Sequence, residues 1–240
     1  MQTRTGSFPI GFRRGWSEWQ KDLPALISWA KAEGFTAIDV GAVPQAELTA
    51  ITAAGLGIGT VDLGCRMSDL VHPDAGVRAA AADQALEHAR MAAGFRVKNI
   101  FCVVPPAEGT RPRKENFTFA VDGFGRFCQG LLSTGQNLVI EGYPGGFPHY
   151  PILGCTPADY RALFAELPAS AGVNFDPSHL VRMGIDCERF CGEFLGRIHH
   201  VHAKDTEILP EGLYEHGNLQ PATFAAGHGF GGHHWRYTIP

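Results

Sequence analysis

Three segments carry residue types that can hold a divalent cation and move a proton. Asn137-Leu138-Val139-Ile140-Glu141 ends on a carboxylate after a run of strand character, and Gly142-Tyr143-Pro144-Gly145-Gly146 follows it as an open loop rather than a closing hairpin. Val173-Asn174-Phe175-Asp176-Pro177-Ser178-His179 places a second carboxylate at a strand end, with an imidazole three residues on. Ile198-His199-His200-Val201-His202-Ala203-Lys204-Asp205 packs three histidines into four residues, which side-chain packing alone explains poorly. Strand alternation puts Val139 with Glu141, Asn174 with Asp176, and Ile198 with His200 and His202. Two carboxylates and an imidazole combine hard oxygen with borderline nitrogen, so Glu141, Asp176 and His202 suit Mn²⁺, Co²⁺, Mg²⁺ or Zn²⁺, with Mn²⁺ the first choice. His200, one pleat below His202, is expected to support the metal ligands or touch substrate, and His199 to face the other way into packing. A solvated strand end is the bland reading of Glu141, against which the open loop after it counts, while Asp176-Pro177 alone reads as a turn start. The case rests on all three together.

The elements that must position these groups alternate along the chain. Short apolar runs at 8–12, 37–41, 57–63, 99–104, 137–141, 172–176 and 197–202 read as strands of a mostly parallel sheet. Between them Trp19, Leu23, Leu26, Ile27 and Ala30 recur at helical spacing up to the stop at Gly34, and 74–93 is an Ala-rich helix. Phe117, Val121, Phe124 and Cys128 define another, and Thr156-Pro157-Ala158-Asp159 is a helix start with a capping box. The expected fold is a (β/α)8 TIM barrel forming a single domain over residues 1–240. Seven strand signals in 240 residues, against eight strands and about 250 residues for a complete barrel, predict that the last βα unit is missing. An open doubly wound sheet wants a Gly-rich phosphate turn after its first strand, which Gly11-Phe12-Arg13-Arg14-Gly15 does not supply. In a barrel, functional groups sit at the carboxyl ends of strands, where Glu141, Asp176 and His202 fall.

Taken in order, the Glu-ended strand, Asp-x-x-His (Asp176, His179) and His-x-Lys-Asp (His202, Lys204, Asp205) resemble the xylose-isomerase-like sugar phosphate isomerase/epimerase superfamily across nearly the whole chain. The resemblance implies that Glu141, Asp176 and His202 are metal ligands, that Glu141 also transfers a proton, and that His179 binds substrate. His200 and Lys204 are further substrate-binding candidates. The implied reaction is proton abstraction beside a carbonyl through an ene-diolate, which isomerises or epimerises a sugar or sugar phosphate. Two departures stand out. The family's fourth ligand, a Glu closing the eighth strand, has no counterpart before Pro240, which implies little turnover by these residues alone. The Glu that follows the first ligand by six residues in the ketose 3-epimerase branch is replaced by Phe147. An inosose-type dehydratase would use the same ligands, and a non-catalytic sugar-binding barrel would have lost the chemistry. An apurinic endonuclease of the superfamily would need extra histidines that Val61–Cys65 and Phe101–Pro105 do not supply.

The segment from Gly227 to Tyr237 is rich in Gly and His and does not read as a helix; Trp235 and Arg236 are candidates to cover and bind a sugar, with His228, His233 and His234 near the site. Arg111-Pro112-Arg113-Lys114 reads first as a solvated turn and second as a phosphate contact. A formal charge of -4 argues against nucleic acid as a partner. Six scattered cysteines, without a C-x-x-C pair, fit a reduced, cytoplasmic protein, Cys102 and Cys128 being packing residues and Cys187 and Cys191 sharing one helical face. No apolar run reaches spanning length and the start carries no leader pattern, so no membrane association is expected. The expected partner is a small sugar or polyol. A homo-oligomer is compatible with the sequence, which leaves the oligomeric state open.

Overall fold

The computed structural model describes residues 8–145, 152–218 and 231–238; Phe147 and His228 lie outside them. Seven strands form one sheet: β1 (Gly11–Arg13), β2 (Ala37–Val40), β3 (Gly57–Asp62), β4 (Asn99–Cys102), β5 (Asn137–Glu141), β6 (Ala171–Phe175) and β7 (Ile198–Val201). They lie in sequence order and pair in parallel throughout, so the sheet curls into a half-barrel of the TIM type. The connections carry α1 (Glu18–Lys21), α2 (Leu23–Ala32), α3 (Gln45–Ala53), α4 (Ala75–Ala93), α5 (Arg113–Leu131), α6 (Pro157–Glu166), α7 (Pro177–Arg182) and α8 (Cys187–Phe194). After β7 the chain leaves the barrel. Asp205–Ile208 (β8) and Trp235–Thr238 (β9) pair antiparallel in a separate two-stranded sheet, with α9 (Pro210–His216) between them. The Gly- and His-rich segment read as a loop thus contributes a strand, because pairing along β8 satisfies backbone groups that composition alone cannot reveal.

Local chemistry sets the helix boundaries. The first predicted helix is two, because Asp22 breaks it: its extended backbone and side chain cap α2, accepting from Ala25 N at 3.0 Å. Asp74 caps α4 and Thr156 with Asp159 forms the expected capping box on α6. Ile38, Val40, Val61, Ile100, Cys102, Leu138, Ile140 and Val173 face the helices and share one apolar core with Ala85, Phe124, Phe127 and Tyr160. The interior face is polar instead, carrying Arg13, Asp39, Glu141, Asn174 and His200. No helix among the described residues is long and apolar enough to cross a membrane.

Two bulges interrupt the register. Ile38 and Val40 of β2 pair with Ile58 and Val61, so β3 carries one extra residue opposite Asp39. Val173 and Asn174 of β6 pair with Ile198 and His200, so His199 is the extra residue of β7. A bulge resets the alternation that follows it. Ile198 therefore packs on the apolar core while His200 turns inward, which corrects the expectation that both share a face. His199 is exposed rather than packed, and instead of facing the other way its ring lies over the inward side of Gly172, where an added Cβ would fall 2.3 Å from Cδ2.

Close packing between α4, α5 and the turn at Met67–Val71 leaves no room at Gly123, where an added Cβ would lie 2.0 Å from the Leu70 carbonyl oxygen. Gly123→Ala is expected to lower the unfolding free energy by about 1–3 kcal/mol. Gly125→Ala, whose Cβ would meet only Leu167 Cδ2 at 3.9 Å, is expected to be neutral or stabilising by under ~1 kcal/mol. Urea denaturation of both variants checks the pair, and equal effects would contradict this account of the packing.

Candidate metal centre

Glu141 is the last residue of β5, Asp176 follows β6 and His202 follows β7, so three adjacent strands deliver their ends to one point. One ligand atom from each lies within 4.8 Å of the others, and both carboxylates are buried. His202 Nδ1 is 2.7 Å from Glu141 Oε1, and its backbone N–H donates to the Phe175 carbonyl at 2.9 Å, which anchors the residue to the end of β6. Asn174 Nδ2 donates to Glu141 Oε1 at 3.0 Å and lies 3.0 Å from His202 Nδ1, bridging two of the three. Asp176 is a helix cap as well as a strand end: its Oδ1 accepts from Ser178 N and Oγ, leaving Oδ2 for the cluster. Two carboxylate oxygens and an imidazole nitrogen at this spacing fit a divalent cation.

His179, on the first turn of α7, is buried beside the trio, with Nε2 3.3 Å from Glu141 Oε2 and 3.4 Å from Asp176 Oδ2. Lys204 Nζ lies 2.9 Å from Asp176 Oδ2 and 3.3 Å from His179 Nε2. His200 turns instead to Asp39, its Nε2 2.9 Å from Oδ2. Asp39 escaped sequence reading because β2, Ala37-Ile38-Asp39-Val40, looks like a purely structural strand with one polar residue; its inward position was the available signal. Tyr237 was missed too: it reaches the cluster from β9, with Oη 2.8 Å from His179 Nδ1, while Arg182 Nη1 donates to Oη at 3.0 Å.

Trp235 and Arg236 are not brought to the trio. Trp235 is buried with its ring 3.9 Å from the Arg182 guanidinium. Arg236 alternates to the opposite face of β9 from Tyr237 and pairs with Glu207 at 2.6 Å. His233 stacks near His216 and is buried there, away from the cluster. Arg111 pairs with Glu108 and Glu115, and Arg113 with Asp159, so the basic turn is tied internally. The cysteines are free thiols; burial pushes Cys102 well up and Cys128 to about 12, as packing residues behave.

The profile of the xylose isomerase-like TIM barrel family matches residues 27–233, and the chain belongs to that family. Its fold is similar to that of a xylose isomerase domain protein from Alicyclobacillus acidocaldarius, with a TM-score of 0.66, 15% identity and coverage of 81% of this chain and 72% of that one. It is similar also to 3-keto-D-glucoside 4-epimerase from E. coli, with a TM-score of 0.65, 17% identity and coverage of 81% and 78%. An L-ribulose 3-epimerase superposes with a TM-score of 0.66 at 17% identity over 80% of this chain and 68% of its own. No curated protein sequence matches the chain.

Electrostatics lock the cluster. Burial alone would push the Glu141 carboxyl up, but hydrogen bonds from His179 and His202 outweigh it and hold the group well below its ordinary range. Asp39 is held low likewise, by the contact with His200 and the nearby His202 ring. Burial would lower His202, yet the Asp39 carboxylate 3.5 Å from Nε2 and the Glu141 carboxylate 2.7 Å from Nδ1 raise it to about 9 from 6.5. A raised histidine stabilises the fold fully below its unfolded value and loses that contribution as pH climbs through the folded one; the lowered carboxylates lose theirs only in acid. In chelator, thermal unfolding of the metal-free protein should therefore show a midpoint falling between about pH 6.5 and 9. His202→Asn should flatten this alkaline limb, and an unchanged slope would contradict the assignment.

Proposed function

We propose that the protein is a divalent-metal-dependent isomerase or epimerase acting on a sugar or sugar phosphate by proton abstraction next to a carbonyl. The observation that carries this reading is the convergence of Glu141, Asp176 and His202 from three consecutive strand ends, within 4.8 Å of one another. These residues would hold the metal, with Mn²⁺ favoured by the two hard carboxylates and Co²⁺, Mg²⁺ or Zn²⁺ as alternatives. When bound, the metal supplies positive charge that polarises a carbonyl oxygen and stabilises the negative charge developing on it.

The chain's own residues supply the rest. Glu141 stays ionised at neutral pH and is the base. Its Oε1 is engaged by Asn174 and His202 while Oε2 faces His179, so the carboxylate is fixed in one orientation. His179 is itself held by Tyr237 through Nδ1, which leaves Nε2 directed at the carboxylates and at a substrate oxygen placed between them. Lys204 offers a second donor to such an oxygen. The buried carboxylates and the strands around them exclude bulk water from the proton transfer.

A non-catalytic sugar-binding barrel is the second reading. It is favoured by the Lys204 ammonium on Asp176 and by the absence, among the described residues, of a fourth ligand, a third carboxylate, beside the trio. Solvent-deuterium exchange at the carbon next to the carbonyl separates the two, because exchange needs a single base. A panel of ketoses and ketose phosphates incubated with Mn²⁺ in D₂O should show exchange for at least one member, reduced about 10²-fold or more by Glu141→Gln. Binding without exchange across the panel would favour the second reading, and loss of water from the substrate would identify a dehydratase instead.

A further inference from the structure

His202 presents its two ring nitrogens to two different sets of ligands. Nδ1 faces Glu141, while Nε2 is buried without a hydrogen-bond partner, 3.5 Å from Asp39 Oδ2. The same Asp39 oxygen lies 2.9 Å from His200 Nε2, and one ligand atom from each of Asp39, His200 and His202 lies within 4.8 Å of the others. The two imidazoles meet edge to face, with centroids 5.4 Å apart and planes at 85°, so they converge on the carboxylate from different directions. Ligand atoms about 2.0–2.1 Å from a tetrahedral ion stand roughly 3.3 Å apart, which the 2.9 and 3.5 Å from Asp39 Oδ2 to the two imidazole nitrogens bracket. Gly59, in the β3 bulge, leaves the space: a Cβ there would fall 2.2 Å from Asp39 Oδ1 and 3.2 Å from His200 Cε1. Nearby, Arg13 donates from Nη2 to both Asp62 oxygens at 2.8 and 2.9 Å, while its Nη1 is buried without a hydrogen-bond partner.

We propose that Asp39, His200 and His202 Nε2 form a second metal site, selective for nitrogen-preferring borderline ions such as Zn²⁺, back to back with the carboxylate-rich trio. Two imidazoles and one carboxylate suit Zn²⁺, Ni²⁺ or Cu²⁺, whereas two carboxylates and one imidazole suit Mn²⁺ or Mg²⁺. A neutral imidazole has one lone pair to give, so His202 serves one ion at a time. Filling the nitrogen-rich site withdraws His202 from Glu141 and Asp176, which makes Zn²⁺ a competitor of Mn²⁺ acting from outside the carboxylate pair. The inference shares only His202 with the reading of function above.

Calorimetric titration of the tag-free, chelator-treated full chain with Zn²⁺ and, separately, Mn²⁺ tests it. His200→Ala should weaken Zn²⁺ at least ~100-fold, the upper end of what loss of even a supporting group costs, and leave Mn²⁺ within about threefold. The double variant Glu141→Gln, Asp176→Asn should do the reverse, with circular dichroism confirming that both variants fold. Zn²⁺ added to the Mn²⁺-loaded protein should release Mn²⁺ one for one. Zn²⁺ affinity unaffected by His200→Ala, or lost with the carboxylates instead, overturns the site; both ions retained on one chain overturns the shared ligand. Failure of Mn²⁺ to bind at all counts against the carboxylate trio alone, since the Zn²⁺ comparison is read independently of it.

Discussion

The interior of the half-barrel is organised around one imidazole held between two buried carboxylates. His202 faces Glu141 through Nδ1 and Asp39 through Nε2, so β2, β5 and β7 are linked across the barrel by a single side chain. Buried carboxylates are costly unless matched, and an unmatched one would be expelled or neutralised. Here each has cationic or hydrogen-bonding partners: His202 and His200 for Asp39, His202, His179 and Asn174 for Glu141, Lys204 and Ser178 for Asp176. The same charges that would engage a metal thus hold the strand ends in place before any metal arrives. The groups that would serve the proposed chemistry are the ones that stabilise the strand ends.

Backbone irregularity makes that arrangement possible. A regular β7 would place His200 on the face occupied by Ile198, among the helices, where a second imidazole would have no carboxylate partner. The extra residue at His199 changes the alternation, and the apolar and polar demands of the two faces are met by the same short strand. The bulge in β3 serves the opposite wall, where Gly59 yields space to the Asp39 carboxylate. Both bulges flank the cluster, and the otherwise parallel ladder runs without interruption through β4 and β5.

The β8–β9 pair extends the site beyond the barrel. Thr206 Oγ1 donates to the Ser178 carbonyl at 2.8 Å, docking β8 on α7, and β9 then places Tyr237 against His179. Alternation along β9 separates the roles of its residues: Trp235 and Tyr237 cover α7 through Arg182, while Arg236 is turned outward to Glu207. A residue read from composition as a sugar platform therefore works as packing for the element that carries His179. Tyr237, from the same tetrad, is the one that touches the cluster.

The order of strands, the parallel sheet and the trio Glu141, Asp176 and His202 follow from local information. A strand-end carboxylate or imidazole is marked by the apolar run before it, and helix starts such as Thr156-Pro157-Ala158-Asp159 are written in adjacent residues. Asp39, Tyr237 and the inward turn of His200 depend on contacts between residues far apart in the chain. Asp39 and His200 are 161 positions apart, and the bulges that aim them are properties of two strands paired in register, not of either alone. Sequence determined which residues could carry charge to the carboxyl end of the barrel. Tertiary structure decided which charge faces which, because matching buried groups is a condition on the folded interior as a whole.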